Sequence, residues 1–118
     1  MSADDRLPRI LVIDDSRMVR ASIVKHIRGR FEVREEPDGE AGWEALLVDP
    51  GIELVLTDIG MPRLDGYGLL ERIRASRVSR VRELPVVIIS GDEDESARER
   101  ALALGANGFI PKGSGSVE

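Results

Sequence analysis

The chain has 118 residues, 42% of them apolar, which bounds it to one compact domain with a real core and leaves no room for two. It has no cysteine, so disulfides, thiolate metal sites and a cysteine nucleophile are excluded, and a reducing, cytoplasmic setting is the expectation. A formal charge of −5 argues against nucleic-acid binding by a general electrostatic footprint. The acidic start, followed by an apolar run of only Ile10 to Ile13, is neither a secretory signal nor a membrane span.

Arg9 to Ile13 reads as a buried strand. Asp14, Asp15 and Ser16 form its exit and the cap of a helix whose stripe is Met18, Val19, Ser22, Ile23 and Ile27, closed by Gly29. Phe31, Val33 and Glu35 alternate with Glu32 and Arg34 as a half-exposed edge strand would. Pro37, Asp38 and Gly39 turn into a helix with an apolar stripe of Ala41, Trp43, Ala45, Leu46 and Val48, ended by Pro50 and Gly51. Leu54, Val55 and Leu56 lead through Thr57 to Asp58 and stop at Gly60 and Pro62, which is a buried strand and its exit turn.

After Asp65 and Gly66 a third helix carries Tyr67, Leu69, Leu70 and Ile73, and a polar loop is expected between Ala75 and Leu84. The arginines between Arg72 and Arg82 read as a solvated helix face and loop. Pro85 to Ser90 is β-branched without polar alternation and belongs in the middle of a parallel sheet, with Gly91 to Asp94 as its acidic exit. Glu95 to Leu104 is a helix with a modest face of Ala97, Ala101 and Leu104, and Gly105 stops it. Gly108 to Lys112 is a last short strand, marked as an edge by Pro111. His26, the single histidine, is given no role.

Five alternations of strand and helix give a doubly wound α/β fold, and two edge-like strands with three buried ones favour a five-stranded parallel sheet in the flavodoxin-like order 2-1-3-4-5. The ends of the first and third strands then meet at the switch point, which puts Asp14, Asp15 and Asp58 in one pocket. Three carboxylates so gathered repel, so either some protonate or a cation sits among them; oxygen ligands without histidine or cysteine suit Mg²⁺. An aspartate there can act as a nucleophile and form an acyl phosphate, with Lys112 and the Ser90 hydroxyl at neighbouring strand ends to meet phosphoryl oxygens and Gly91 leaving room.

Over nearly its whole length the chain resembles the receiver domain of two-component response regulators. The residues that carry the resemblance are the pair in Val-Ile-Asp14-Asp15-Ser, Asp58 in Leu-Thr-Asp-Ile-Gly-Met-Pro, Ser90 in Ile-Ile-Ser-Gly, and Phe109 and Lys112 in Gly-Phe-Ile-Pro-Lys. The resemblance implies Mg²⁺ held by Asp15, by Asp14 through water, by Asp58 and by the backbone carbonyl of Gly60. It implies phosphoryl transfer from a sensor histidine kinase or phosphotransfer protein to Asp58, self-catalysed rather than performed on a separate substrate, with autodephosphorylation. Ser90 moving to meet the phosphoryl group would vacate space for an exposed Phe109 ring to turn inward, altering the face made by the helix after Ser90 and the last strand, and so controlling an output domain or target protein.

Three other readings share part of this pattern. A mononucleotide binder of the flavodoxin kind needs an amide-lined loop after the first strand, where two aspartates stand here. An aspartyl phosphatase of the haloacid dehalogenase kind needs its aspartates two apart, and these are adjacent. A phosphorylation-independent receiver-like interaction module is opposed by the complete set Asp14, Asp15, Asp58, Ser90 and Lys112.

Two departures from the family pattern stand out. Gly113 follows Lys112 where the family has a cis proline, so a trans bond is expected. Residues 113 to 118 are too few for the family's last helix, so the expectation is a single receiver domain, residues 1–118, forming the front of a longer regulator or covered in a homodimer. Val12, Val87, Ile89 and Ile110 would line the bare face.

Overall fold

The computed structural model describes residues 7–91 and 95–112. The elements run β1 (Arg9–Ile13), α1 (Arg17–Ile27), β2 (Glu32–Glu36), α2 (Gly39–Val48), β3 (Ile52–Thr57), α3 (Gly66–Arg74), α4 (Ser79–Arg82), β4 (Val86–Ser90), α5 (Glu95–Ala103) and β5 (Gly108–Pro111). The five strands are parallel in the order β2-β1-β3-β4-β5. The expected fold class is therefore the observed one. The acidic exit at residues 92–94, the peptide bond after Lys112 and the question of a last helix all lie outside the described residues.

Alternation along the strands divides the sheet into two unlike faces. Leu11, Ile13, Val55, Val86 and Ile88 face the main core, which they share with Leu46, Leu69, Leu70, Ile73, Val81 and Ala101 from α2, α3, α4 and α5. The opposite face carries Ile10 and Val12, buried beside α1, which packs on β1. Register aligns Val12 with Leu56 and Ile89 with Ile110, so the same face continues across the sheet toward β5. Cover fades along it: Val12 is 1% exposed, Val87 and Ile89 are half-buried, and Ile110 is 44% exposed. Val12 thus does not belong to the bare patch, because α1 lies over its strand.

Helix starts follow their caps. Ser16, Asp38 and Asp65 each accept a hydrogen bond from the backbone N–H three residues on, at Val19, Ala41 and Gly68. Two stripe assignments need correction. Met18 is 83% exposed and α1 buries none of its residues fully, so its inner side is the half-buried Val19, Ile23, Val24 and Ile27. On α2, Val48 is 70% exposed and Gly42 takes the inward place, its α-carbon facing the Ile13 side chain so closely that a Cβ would overlap it. The stretch expected as a loop contains α4, with Val81 wholly buried.

Arg72, Arg74, Arg80 and Arg82 are clasps rather than a solvated face, while Arg77 is exposed. Arg74 donates to the carbonyls of Arg82, Leu84 and Gly105 and to Asn107 Oδ1, tying α3 to the segments that lead into β4 and β5. Arg80 donates to the carbonyl of Leu46, and Arg72 stacks on Trp43 and meets Glu40.

The start of α3 is pressed against the end of β3. A Cβ on Gly66 would stand 2.2 Å from the carbonyl oxygen of Asp58, a backbone atom with no freedom to retreat. Gly66→Ala should therefore cost about 2 to 4 kcal/mol. Urea unfolding followed by circular dichroism checks it: the midpoint should fall with the slope unchanged, and an unchanged midpoint would show that the loop yields.

Candidate functional site

Backbone pairing fixes the acidic residues before any side chain contributes. The Asp58 N–H donates to the carbonyl of Ile13 and the Asp14 N–H to that of Glu36, so the ends of β1, β2 and β3 are stapled side by side. Asp14 and Asp58 are carried there at 1% and 8% exposure, while Asp15 is exposed. One carboxylate oxygen from each of Asp14, Asp15 and Asp58 lies within 4.8 Å of the others. The pocket expected from strand order is thus present.

Lys112 reaches into it from the end of β5. Its Nζ stands 2.8 Å from Asp14 Oδ2 and 3.2 Å from Asp58 Oδ1. Asp14 Oδ1 accepts from the Ser16 N–H, and the deeply buried Oδ2 has the Lys112 ammonium as its partner. Three carboxylates answered by a single ammonium, with one oxygen from each in reach of one centre and no nitrogen or sulfur donor among them, fit a hard divalent ion such as Mg²⁺.

Beyond the acidic group a cleft of about 550 Å³ opens between β3, β4 and α5, lined by Asp58, Ile59, Gly60, Tyr67, Ser90, Gly91, Ser96, Ala97, Arg100 and Lys112. Ser90 is 3% exposed at the end of β4, and Cβ positions on Gly60 and Gly91 meet open space. Phe109 does not line the cleft; it is half-buried against the core on the strand beside Ser90, paired in register with Ile88. The exposed starting position that the expected switch assigned to its ring is therefore not the one seen.

Several supports went unread in the sequence. Arg20 donates from Nη1 to the carbonyl of Asp14 at 2.6 Å and from Nε to Glu35, bracing the β1 exit from α1. Thr57, buried, donates its hydroxyl to the carbonyl of Asp58. Tyr67 forms the floor of the cleft and donates to the carbonyl of Ala97, with the Arg100 guanidinium 4.0 Å from its ring centroid. The only advance signals were an arginine one helical turn beyond Ser16 and a tyrosine just after the Asp65 cap.

Electrostatics set Asp58 apart. Burial, and then the charge of Asp14, hold its carboxyl above the ordinary range, with Lys112 pulling the other way. For Lys112, burial opposes the charged form, but hydrogen bonding and attraction from Asp14, and then Asp58, outweigh it and raise its pKa.

Residues 10–118 match the family model described as the response regulator receiver domain. The chain is 36% identical over 106 residues to the two-component response regulator ORR5 of Oryza sativa subsp. japonica, an alignment covering 89% of this chain and 78% of that protein. It is 41% identical over 115 residues to a protein-glutamate methylesterase/protein-glutamine glutaminase of Symbiobacterium thermophilum, covering 92% of this chain and 30% of that protein. The crystal structure of a response regulator receiver protein from Pseudomonas putida superposes with a TM-score of 0.81 at 26% identity, over 95% of this chain and 88% of that one.

A raised carboxyl pKa has a definite sign in stability. The folded chain binds the proton of Asp58 more readily than the unfolded chain, so the group's contribution is present below its unfolded value of 3.8 and is lost as pH rises through the higher folded value. Near neutral pH the ionised side chain therefore opposes folding. Asp58→Asn in a metal-free buffer should raise the melting midpoint at pH 7 by a few degrees, the scale on which ~1 kcal/mol moves a domain of this size. The advantage should vanish as pH falls to about 4. A lower midpoint at pH 7 would show that the contact with Lys112 outweighs burial.

Proposed function

The chain belongs to the response regulator receiver domain family, and from that membership we propose that it is a phospho-accepting switch in which Asp58 takes a phosphoryl group. The observation that carries the proposal is the juxtaposition of Asp58 with Asp14 and Lys112 at the mouth of a cleft also lined by Ser90. A carboxylate oxygen of Asp58 attacks the phosphorus of the donor, the phosphohistidine of a sensor kinase or phosphotransfer protein. The phosphorus–nitrogen bond breaks and the imidazole leaves with the electron pair. The product on Asp58 is an acyl phosphate.

Asp14, Asp15 and Asp58, with the backbone carbonyl of Gly60 as the resemblance implies, would hold Mg²⁺. When bound it neutralises charge on the phosphoryl oxygens. Lys112, poised between Asp14 and Asp58, keeps the two carboxylates together and offers its ammonium to the arriving phosphoryl group. Ser90 supplies a hydroxyl at the adjacent strand end and Gly91 leaves approach space. Engagement of Ser90 would loosen the packing of Phe109 on the neighbouring strand, and the α5–β5 face would change with it.

Control of an output domain or target protein follows from the same reading. In the Symbiobacterium relative the aligned stretch is under a third of the whole protein, which supports a receiver that governs a larger machine. The half-buried Val87 and Ile89 and the exposed Ile110 support cover of that face by more of a longer chain or by a second copy.

Incubation with acetyl phosphate and Mg²⁺ should add one phosphoryl group to the intact mass, and borohydride trapping should place the label on Asp58. Asp58→Asn should abolish it. Asp15→Asn should weaken Mg²⁺ binding at least tenfold by titration calorimetry, the usual scale for loss of a charged ligand. Labelling that survives Asp58→Asn would refute the assignment.

A further inference from the structure

The cleft next to Asp58 carries both signs of charge. Asp58, which belongs to the acidic group with Asp14 and Asp15, lines it, and so does a second cation besides Lys112: Arg100 of α5. Arg100 is exposed, yet it is not a loose surface side chain. Its guanidinium lies 4.0 Å from the centroid of Tyr67, whose own ring is 8% exposed and tethered through its hydroxyl to the carbonyl of Ala97 one turn earlier on the same helix. Tyr67 and α5 thus form a platform that sets the height and tilt of the guanidinium.

Among the described residues no carboxylate pairs with Arg100. The other α5 arginine, Arg98, is turned away from the cleft and paired to Glu95 at 3.3 Å. A planar cation on a ring, lining a cleft and without an acidic partner among the described residues, has donors to offer a ligand, and its fork matches a carboxylate or phosphate.

We propose that Arg100 binds the anionic leaving group of small acyl phosphate donors, and so makes this receiver selective for acyl phosphates among small phosphodonors. The inference rests on the reading of Asp58 as the phosphoacceptor. In the reaction a carboxylate oxygen of Asp58 forms the new bond to phosphorus, and the bond between phosphorus and the acyl oxygen breaks. The electron pair departs with that oxygen, and the acid leaves as a carboxylate without any proton being needed. Negative charge therefore grows on the departing oxygen, on the side away from Asp58, where a guanidinium lining the same cleft can meet it. A donor whose leaving group departs neutral gains nothing there. Phosphoramidate is such a donor: the phosphorus–nitrogen bond breaks and the protonated nitrogen leaves as ammonia.

The test is the ratio of second-order labelling rates with acetyl phosphate and with phosphoramidate, each with Mg²⁺, for the wild type, Arg100→Ala, Tyr67→Leu and Arg98→Ala. Arg100→Ala should slow acetyl phosphate about tenfold and phosphoramidate by far less, the loss expected for one charge-assisted contact. Tyr67→Leu, which removes the platform and spares the cation, should shift the ratio the same way by a smaller factor. Arg98→Ala should leave the ratio at the wild-type value. If Arg100→Ala slows both donors equally, or neither, the inference is overturned. If the wild type accepts phosphate from neither donor, it is the reading of Asp58 that fails. Melting curves for each variant keep a folding defect from passing as a change of ratio.

Discussion

The structure is built around a repulsion. Asp14 and Asp58 are held out of most water on adjacent strand ends, with Asp15 close by, and two like charges in such a place cost several kcal/mol unless a cation answers them. Nothing about Asp58 would bring it there for its own sake. The pairing of β1 with β3 puts it there, and that pairing is secured by Leu11, Ile13 and Val55 in a core that α2 and α3 close. Lys112 is the chain's own answer, arriving from β5 at the far side of the sheet. The pocket therefore depends on all of β1, β3, β4 and β5 holding register, and its charge is sensitive to any of them shifting.

The loop that leaves Asp58 is restrained from outside. Arg63, a non-glycine residue with φ of 70°, stands in the left-handed region, which costs about 1 kcal/mol or more for such a side chain. It is held by two hydrogen bonds to Asp38 Oδ2, at 3.0 and 2.6 Å, and Asp38 is at the same time the cap of α2. The Ala41 N–H, and then Arg63, hold the Asp38 carboxyl below its ordinary range, so the clamp stays charged through the neutral region. Beside it Gly39 lies so close to the backbone of Leu64 that no side chain fits. The β3–α3 loop is thus fastened to α2 at its middle and to Asp58 at its end through Gly66, leaving Gly60 between as the open part.

The sequence made some of this legible and hid the rest for physical reasons. Uninterrupted β-branched runs such as Val86 to Ile89 announce buried parallel strands, and strand order follows from them, so the meeting of Asp14 with Asp58 was readable. Lys112 and Ser90 were readable because they end strands. The inward faces of α1 and α2 were not, because a stripe read from spacing assumes a helix covered on one side. Met18 has no described neighbour to bury it, and Val48 lies past the last turn that reaches the sheet. The helical turn at Ser79–Arg82 has no side-chain cap and one buried residue, Val81, too little for a period to show. Arg74, Arg20 and Arg100 were missed because their partners are carbonyls, a side-chain amide, a ring or, for Arg20, also a glutamate on another strand, none of which leaves a local pattern of opposite charge along the chain.

A site that is costly when empty of cations is also responsive. Because the ionised Asp58 opposes folding, any ligand that neutralises it is bound with the added benefit of relieving that cost, and by linkage it stabilises the strand-end arrangement it binds. Lys112 is placed so that relief at one point moves charge at another. Its ammonium is shared between Asp14 and Asp58, and a change in the charge of either carboxylate redistributes it. Lys112 continues directly from β5, whose Phe109 packs against the core and whose Ile110 lies exposed on the far face. The fold thus joins an electrostatic event at the strand ends to an edge strand that touches both the core and the outside, and an edge strand, paired on one side only, is the element of a sheet that can shift with the least loss of hydrogen bonding.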